Sequence, residues 1–301
     1  MWVATPGISV IINERSGTAA RPEVGPEIQA LFEKHNTRVR LERVRDPGDL
    51  GARARQAASR HDLLVAAGGD GTVSAVASVA VSTGTTLGVL PMGTLNHFAK
   101  DVGLPLDLEG AVKVVAAGRV RQLDVGDVNG RIFVNNSSVG LYPRMVWARD
   151  TEQRRGRGKW IAFSLAMLKT WRDYRMITAR LQVNGSTTVV RTPFIFVGNN
   201  HYTAEGFHLG GRSRLDEGQL SIFVAPECGR FEILSLPVLA VSGRLHSEGA
   251  PFVEFQSDAL IVDMPRRTSV AVDGEVVMPV APLAFRVRPH ALQMIVPETP
   301  G

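Results

Sequence analysis

The chain has 301 residues, of which 44% are hydrophobic and 21% are charged. These values are typical of a folded globular protein, and the length favours two domains over one. A formal net charge of +5 favours anionic partners such as nucleotides or acidic lipids, although a solvated basic surface has the same composition. The single cysteine, Cys228, excludes an intrachain disulfide and is expected to be a small core residue.

No stretch reaches about 18 consecutive apolar residues, and the N-terminus has no basic segment followed by a long apolar run. We therefore expect a cytoplasmic protein. Nucleic acid is not expected as a partner, because no recognised binding motif accompanies the basic residues.

The first 125 residues alternate apolar runs with amphipathic segments. Strands are predicted around residues 8–12, 39–41, 63–67, 87–90 and 120–125, and helices lie between them in the prediction. The first helix has an apolar face of Val24, Ile28, Leu31 and Phe32. This alternation predicts a parallel sheet covered on both faces, with ligands at the carboxyl ends of the strands.

Beyond about Gly126 the sequence changes to strand-like runs. Strands are predicted over residues 132–139, 177–183, 189–197, 220–225, 259–264, 269–272 and 283–287, and helices around 160–171 and 231–241. Asn184-Gly185 is a hairpin-turn signal. We therefore expect an α/β domain at 1–125 and a mainly antiparallel β-sandwich domain at 126–301, of which roughly the last 15 residues are candidates to pack back on the first domain.

Two polar loops follow neighbouring strands of the predicted sheet. The first is Gly68-Gly69-Asp70-Gly71-Thr72, and the second is Gly93-Thr94-Leu95-Asn96-His97. Glycines let backbone N–H groups approach an anion, and a following helix adds its positive dipole end, so the first loop predicts a phosphate site. A carboxylate repels bare phosphate, so Asp70 indicates an intervening metal ion, water molecule or substrate hydroxyl.

Two common nucleotide motifs are absent. Gly69 and Gly71 are followed by Ser74 where a dinucleotide fingerprint has its third glycine, and no acidic residue occurs between Asp70 and Asp101, which disfavours a dinucleotide site and hydride transfer. Gly156-Arg157-Gly158-Lys159 is followed by Trp160 rather than by serine or threonine, which excludes a Walker-type loop.

The two loops resemble those of the diacylglycerol kinase catalytic family, which includes bacterial lipid kinases and is related to sphingosine kinases and NAD kinases. Weaker matching segments follow the family's order over nearly the whole chain. They are Asn13 with Ser16-Gly17, Phe133-Val134-Asn135-Asn136 with Gly140, Asn199-Asn200, Gly206, Leu215-Asp216-Glu217-Gly218-Gln219-Leu220, and Val272-Asp273-Gly274-Glu275. The resemblance implies a Rossmann-like first domain of the NAD kinase and diacylglycerol kinase type, followed by a β-sandwich.

The resemblance also implies an activity, namely ATP-dependent phosphorylation of a lipid hydroxyl such as that of diacylglycerol, with Mg²⁺, in phospholipid biosynthesis. Nucleotide and lipid would meet between the two domains. Asp70 would belong to the metal network, and Asp273 or Glu275 would accept the hydroxyl proton, although Asp273-Gly274 alone predicts only a hairpin turn. The residues implied to bind the nucleotide are Asn13, Ser16, Gly17, Gly68, Gly69, Asp70, Gly71, Thr72, Gly93, Thr94, Asn96 and His97.

Two positions depart from the family pattern. Asp216 and Glu217 lie where some relatives bind a structural magnesium, but relatives commonly have Asp-Gly where this chain has Glu217-Gly218. Many relatives have aspartate at the position of His97. Three accounts stay open: His97 contacts a phosphate, Asp101 one turn later supplies the carboxylate, or activity is weak or absent. The alternatives are thus a nucleotide-binding regulator of the same fold, or an NAD kinase-like enzyme.

A basic cluster at residues 154–159, flanked by Trp147 and Trp160, predicts contact with an anionic membrane, with a solvated loop as the alternative. We therefore expect a peripheral protein at the inner membrane surface, where it meets its lipid substrate. Self-association as a homodimer is left open.

Overall fold

The computed structural model describes residues 7–140, 176–202, 212, 214–225, 227, 229, 253–265 and 269–298. The chain divides into two compact units, one of Met1–Val125 with Pro289–Gly301 and one of Gly126–Arg288. In the part of the chain that is described, no helix has both the length and the apolar character needed to cross a membrane. Several expectations lie outside the described residues: Cys228, Gly206, the basic cluster with Trp147 and Trp160, and both helices expected in the second half.

The first unit is built on a parallel sheet. Its strands are β1 (Ile8–Asn13), β2 (Val39–Val44), β3 (Leu63–Gly68) and β4 (Thr86–Pro91), in the order β2-β1-β3-β4. Every neighbouring pair is parallel, and Ile8 lies opposite both Val39 and Leu63. The middle residues of β1, β3 and β4 are buried, as expected for a parallel sheet covered on both faces. The predicted α/β architecture is confirmed.

Five helices accompany this sheet: α1 (Val24–Lys34), α2 (Leu50–Ala58), α3 (Asp70–Thr83), α4 (His97–Asp101) and α5 (Leu108–Ala117). The buried face of α1 joins the same apolar core as Val10 and Val65. Local signals set the ends of α5. The side chain of Asp107 accepts the N–H of Gly110, and Gly118 ends the helix with a φ of 70°.

Two strands run through the boundary between the units, β5 (Val120–Val128) and β16 (Leu283–Ile295). The end of β16 pairs in parallel with β4, where Met294 lies opposite Leu87, and the N–H of Val296 donates to the carbonyl of Arg119 at 3.0 Å. The predicted strand at 283–287 was therefore too short. Pro289 and His290, whose φ is 53°, interrupt the strand pattern in the sequence but do not end the strand.

The second unit contains two antiparallel groups of strands. One has the order β12 (Val253–Ser257), β11 (Leu220–Val224), β10 (Phe194–Asn199), β7 (Asn136–Gly140), β14 (Val270–Val272), β15 (Glu275–Val277). The other joins the start of β16 to β13 (Ala259–Asp263), β8 (Ile177–Val183) and β9 (Ser186–Thr192), while β6 (Arg131–Phe133) pairs with the end of β5. Side chains of both groups, including Leu181, Ile195, Leu260 and Phe285, form one core. The predicted antiparallel β-sandwich is confirmed.

Two of the strands predicted in the second unit are each split in the structure, and β12 and β15 lie where no strand was predicted. The run predicted over 189–197 is split at Pro193, which has no N–H to give to a neighbouring strand. The run predicted over 132–139 is split at Val134-Asn135, whose N–H groups bind a carboxylate instead of a strand. The predicted hairpin turn at Asn184-Gly185 is present, with φ angles of 49° and 74°.

Candidate active site

Three loops at the carboxyl ends of β1, β3 and β4 are tied together. The N–H of Gly69 donates to Ser16 Oγ at 2.7 Å, which joins the loop after β1 to the loop after β3. The N–H of Met92 donates to the carbonyl of Gly68 at 2.9 Å, and the N–H of Thr18 donates to the carbonyl of Met92 at 3.0 Å. The three segments that the sequence singled out in the first unit therefore occupy one place.

Glycine is required where these loops touch. Gly17 has a φ of 45°, and a Cβ there would lie 2.1 Å from the carbonyl oxygen of Met92. A Cβ on Gly93 would lie 2.4 Å from the Cα of Gly69. Gly71 is different, since an added Cβ would meet no atom within 4 Å and the residue is exposed. The loops are thus closed against each other at Gly93 and open at Gly71.

The open side presents backbone donors at the start of α3. The N–H groups of Asp70 and Gly71 make no hydrogen bond to any residue that the structure describes, and neither do those of Thr94 and Leu95 in the neighbouring loop. The first N–H groups of a helix have no partner within it, and the dipole of the 14-residue α3 adds partial positive charge there. This arrangement fits a phosphate group.

Two of the predicted nucleotide-binding side chains hold the loops in shape. Nδ2 of the buried Asn13 donates to Thr72 Oγ1 at 2.9 Å, and its Oδ1 accepts the N–H of Arg15 at 3.1 Å. Asn96 has a φ of 50°, and its amide exchanges two hydrogen bonds with the main chain of Gly93, of 2.9 and 3.0 Å. A direct contact of either side chain with the nucleotide stays a prediction.

Asp70 lies where the loop after β3 meets the loop after β4. Its Oδ1 accepts the N–H of Phe98 at 3.3 Å, which joins the first residue of α3 to the first turn of α4. The exposed His97 and the half-buried Asp101 are the two ends of α4. His97, which stands where many relatives have aspartate, and Asp101, which could supply the carboxylate instead, are thus on one short helix beside Asp70.

The acidic residues here suit a divalent cation that is shared with a nucleotide. Over the described ranges there is no group of three or more His, Cys, Asp or Glu residues that could hold a metal by itself. Mg²⁺, however, usually binds through one or two carboxylates together with substrate phosphates and water. Asp70 supplies such a carboxylate next to the unpaired N–H groups, so the residues present fit this kind of ion.

The second predicted metal position fits a cation less well. Asp216 and Glu217 lie in a surface depression of the second unit with His201, Arg214, Gln219 and Gln256. Asp216 Oδ1 is 3.2 Å from Arg214 Nε, and Glu217 Oε2 accepts the N–H of His201 at 3.2 Å. A metal ion would have to compete with the guanidinium for Asp216. Metal binding by Asp216 and Glu217 stays a prediction without support from these contacts.

The predicted acidic pair of the second unit lies on the hairpin between β14 and β15. Asp273 and Gly274 form its turn, with φ angles of 45° and 83°, as the dipeptide alone predicts. The carboxylate of Asp273 accepts the N–H groups of Val134, Asn135 and Asn136 at 2.9, 2.9 and 3.0 Å. Glu275 is exposed at the start of β15. The two carboxylates therefore have different surroundings.

One buried residue in this region was not predicted from the sequence. Arg212 is only 3% exposed, and its Nη1 donates to the carbonyls of Val134 and Asn199 at 2.6 and 3.1 Å. Its Nη2 donates to Asn135 Oδ1 at 2.9 Å, and the guanidinium lies over the ring of Tyr202. The segment held by Asp273 is thus also held by Arg212. A buried arginine has no periodicity or spacing that a single sequence reveals.

Known families account for most of the chain. Residues 7–128 match the diacylglycerol kinase catalytic domain, and residues 144–296 match the YegS C-terminal NAD kinase beta sandwich-like domain. The chain belongs to the diacylglycerol kinase catalytic family. The resemblance drawn from the sequence is confirmed. Membership of a kinase family indicates a phosphotransferase that uses ATP and a divalent metal ion.

Relatives are distant in sequence and similar in fold. A diacylglycerol kinase of Bacillus subtilis is 24% identical over 270 residues, 88% of this chain and 88% of the relative. One of Staphylococcus epidermidis is 24% identical over 269 residues, 88% of this chain and 84% of the relative. An uncharacterized protein of Synechocystis is 26% identical over 239 residues, 78% of this chain, which spans about half (55%) of that relative's length.

Solved structures show the same fold. The crystal structure of a diacylglycerol kinase from Bacillus anthracis has a TM-score of 0.69 at 18% sequence identity, over 99% of both chains. A second Bacillus anthracis crystal structure, of a protein provisionally assigned as a diacylglycerol kinase, has a TM-score of 0.76 at 21% identity, also over 99% of both chains.

Proposed function

We propose that this protein transfers the terminal phosphoryl group of ATP to a hydroxyl group of a lipid, with diacylglycerol as the first candidate. The observation that carries the proposal is the set of N–H groups of Asp70, Gly71, Thr94 and Leu95, which have no hydrogen-bond partner among the described residues and lie on the open side of interlocked loops. These groups bind the ATP phosphates. Phosphoryl transfer depends chiefly on positioning and charge neutralisation, which such donors supply.

Asp70 has two tasks in this proposal. Its Oδ1 is already bound to the N–H of Phe98, which fixes the carboxylate next to the phosphate donors. Its remaining lone pairs would hold Mg²⁺ together with the phosphates. When bound, the ion neutralises charge on the transferred group. His97 is exposed at the start of α4 and, in this proposal, contacts the phosphates at the position where many relatives have aspartate.

The proton of the attacking hydroxyl goes to the acidic pair of the second unit. Both oxygens of Asp273 accept main-chain N–H groups, which stabilises its ionised form and makes it a weaker proton acceptor. The exposed Glu275 is therefore the favoured acceptor, and Asp273 fixes the hairpin that carries it. Because the substrate is a lipid, the protein associates peripherally with the inner membrane surface and serves phospholipid biosynthesis.

The test is a transfer assay with purified protein, labelled ATP and Mg²⁺, supplied with mixed lipid vesicles and, separately, with NAD. Label that partitions into the organic phase supports the proposal, and Asp70→Asn should abolish that transfer. Asp62→Asn is the matched control, because Asp62 is exposed and lies directly before the first residue of β3, at the end of the strand away from Asp70. ATP binding without transfer to any lipid would favour a regulator, and labelled NAD would favour an NAD kinase. Higher activity of His97→Asp would show that the histidine is a handicap.

A further inference from the structure

A charge-free segment follows Glu275 in the second unit. Residues 276–283 read Val-Val-Met-Pro-Val-Ala-Pro-Leu and contain no polar side chain. Residues 278–282, which connect β15 to β16 and are called the apolar loop below, carry Met278 and Val280. These two side chains are 63% and 64% exposed. The apolar loop thus presents two large apolar side chains to solvent within three residues.

This exposure is unusual within the described structure. The other large apolar side chains that are exposed there, such as Leu95, Val189 and Val253, are separated from one another by at least eight positions. Isolated exposed apolar side chains are common on soluble proteins and need no explanation. A pair of them on a segment without any polar residue is typical of a surface that meets an apolar partner.

The apolar loop is held in place by its neighbours. Asn129 Nδ2 donates to the carbonyls of Val280 and Pro282 at 3.0 and 3.1 Å, and Asn129 Oδ1 accepts the N–H of Ala284 at 2.7 Å. These contacts bind main-chain atoms and leave the side chains of Met278 and Val280 directed away from the core. A loop that is already ordered loses less conformational entropy when it binds a partner.

The surroundings of the apolar loop fit a lipid surface. Asn129 belongs to the turn between β5 and β6, and Arg131 on that same hairpin is exposed. Exposed apolar side chains, together with a cation on the hairpin that binds the loop, suit the acyl boundary and the anionic headgroups of a membrane. Met278 also follows Glu275 by three residues, so their Cα atoms are at most about 11 Å apart. A membrane at the apolar loop would bring a headgroup hydroxyl towards Glu275.

We propose that the apolar loop inserts Met278 and Val280 into the acyl boundary of a phospholipid bilayer. The partner is a membrane with anionic lipid rather than a second copy of the chain, because two exposed apolar side chains are combined with an exposed arginine on the hairpin that binds the loop. This inference rests on the proposed lipid kinase function only for its purpose, the delivery of a lipid hydroxyl to Glu275. The insertion itself can be measured without any catalytic turnover.

The direct test uses an environment-sensitive fluorophore. The only cysteine is removed by Cys228→Ser, and Met278→Cys is labelled with NBD; Val189→Cys, at an equally exposed valine of the same unit, is the matched control. Vesicles of phosphatidylglycerol and phosphatidylcholine should shift the emission of NBD at 278 to the blue and raise it about twofold or more, with no change at 189. An unchanged signal at 278, with or without co-sedimentation of the protein, overturns the proposal.

A second measurement does not depend on labelling. Met278→Ser with Val280→Ser should lower the partition coefficient for the same vesicles by at least about tenfold, whereas Val189→Ser should leave it unchanged. All variants are checked by circular dichroism and light scattering. Dissociation of a dimer by the double variant, without loss of vesicle binding, would assign the patch to self-association instead. Insertion without lipid phosphorylation would refute the proposed function alone, and phosphorylation of vesicle lipid without insertion would refute this inference alone.

Discussion

The contact between Gly69 and Gly93 allows a quantitative test of the candidate site. A Cβ on residue 93 would lie 2.4 Å from the Cα of Gly69, whereas ordinary contacts begin at 3.4 Å. Gly93→Ala must therefore move two main-chain segments apart by about 1 Å. Overpacking of this kind costs about 1–3 kcal/mol of unfolding free energy. The displacement also disturbs the start of α3, so ATP binding should fall with stability.

Gly71→Ala is the matched partner of that variant. Nothing lies within 4 Å of its added Cβ, and residue 71 is in the first turn of α3, so alanine fits there and adds about 0.4–1 kcal/mol by reducing the conformational freedom of the unfolded chain. Gly71→Ala should therefore stabilise the protein without ligand. Its methyl group nevertheless occupies the open side where we place the phosphates, so ATP affinity should fall about tenfold.

Urea unfolding and calorimetric ATP titration of both variants separate the two effects. Opposite changes in stability, together with weaker ATP binding in both, are the expected result. Unchanged ATP affinity in Gly71→Ala would refute the phosphate site at the start of α3. Unchanged stability in Gly93→Ala would refute the close approach of the two loops.

Three further predictions concern hydrogen bonds and turns. Thr72→Val should lower the unfolding free energy by about 1–3 kcal/mol, because it leaves the amide of Asn13 without its acceptor. Thr72→Ser keeps the hydroxyl and should retain most of the unfolding free energy, so equal stability of the two variants in urea would contradict this role. Asp273→Asn should lower the unfolding free energy by about 2–3 kcal/mol, since it places an amide among N–H donors. Glu275→Gln should leave the unfolding free energy within about 0.5 kcal/mol but slow phosphoryl transfer about 10²–10⁴-fold. The role of Glu275 is excluded if that variant transfers phosphate at the normal rate. Gly185→Ala should cost about 1–2 kcal/mol from its φ of 74° alone, with nothing near its Cβ, and a thermal melt that shows no loss would argue against the turn.

The first unit could be predicted well because its signals are local. Buried parallel strands are apolar throughout, and the glycine loops follow them directly, so strand β3 and the start of α3 are visible in the sequence. The second unit was harder. Its strand breaks at Val134 and Pro193 depend on a distant carboxylate and on a missing N–H. No strand was predicted at β12, whose first four residues are exposed or half-buried and include Glu254 and Gln256.

The site residues show the same division. The sequence singled out the glycines of the loops, because their type and spacing carry the signal. It predicted nucleotide contacts for Asn13 and Asn96, and the structure shows that their amides bind the loops, while a direct contact with the nucleotide stays a prediction. A polar residue beside a ligand and one that supports the loop cannot be told apart by residue type. Arg212 escaped notice because its partners are main-chain atoms contributed by distant segments.

The path of β16 has a consequence for how this protein folds during synthesis. The last residues of β16 complete the parallel sheet of the first unit next to β4, yet all of Gly126–Arg288 is translated before they emerge. Domains usually fold in the order in which they leave the ribosome. Here the glycine loops after β3 and β4 precede the final strand of their own sheet by about two hundred residues. A nascent chain therefore cannot complete its first unit until the second unit has also been made.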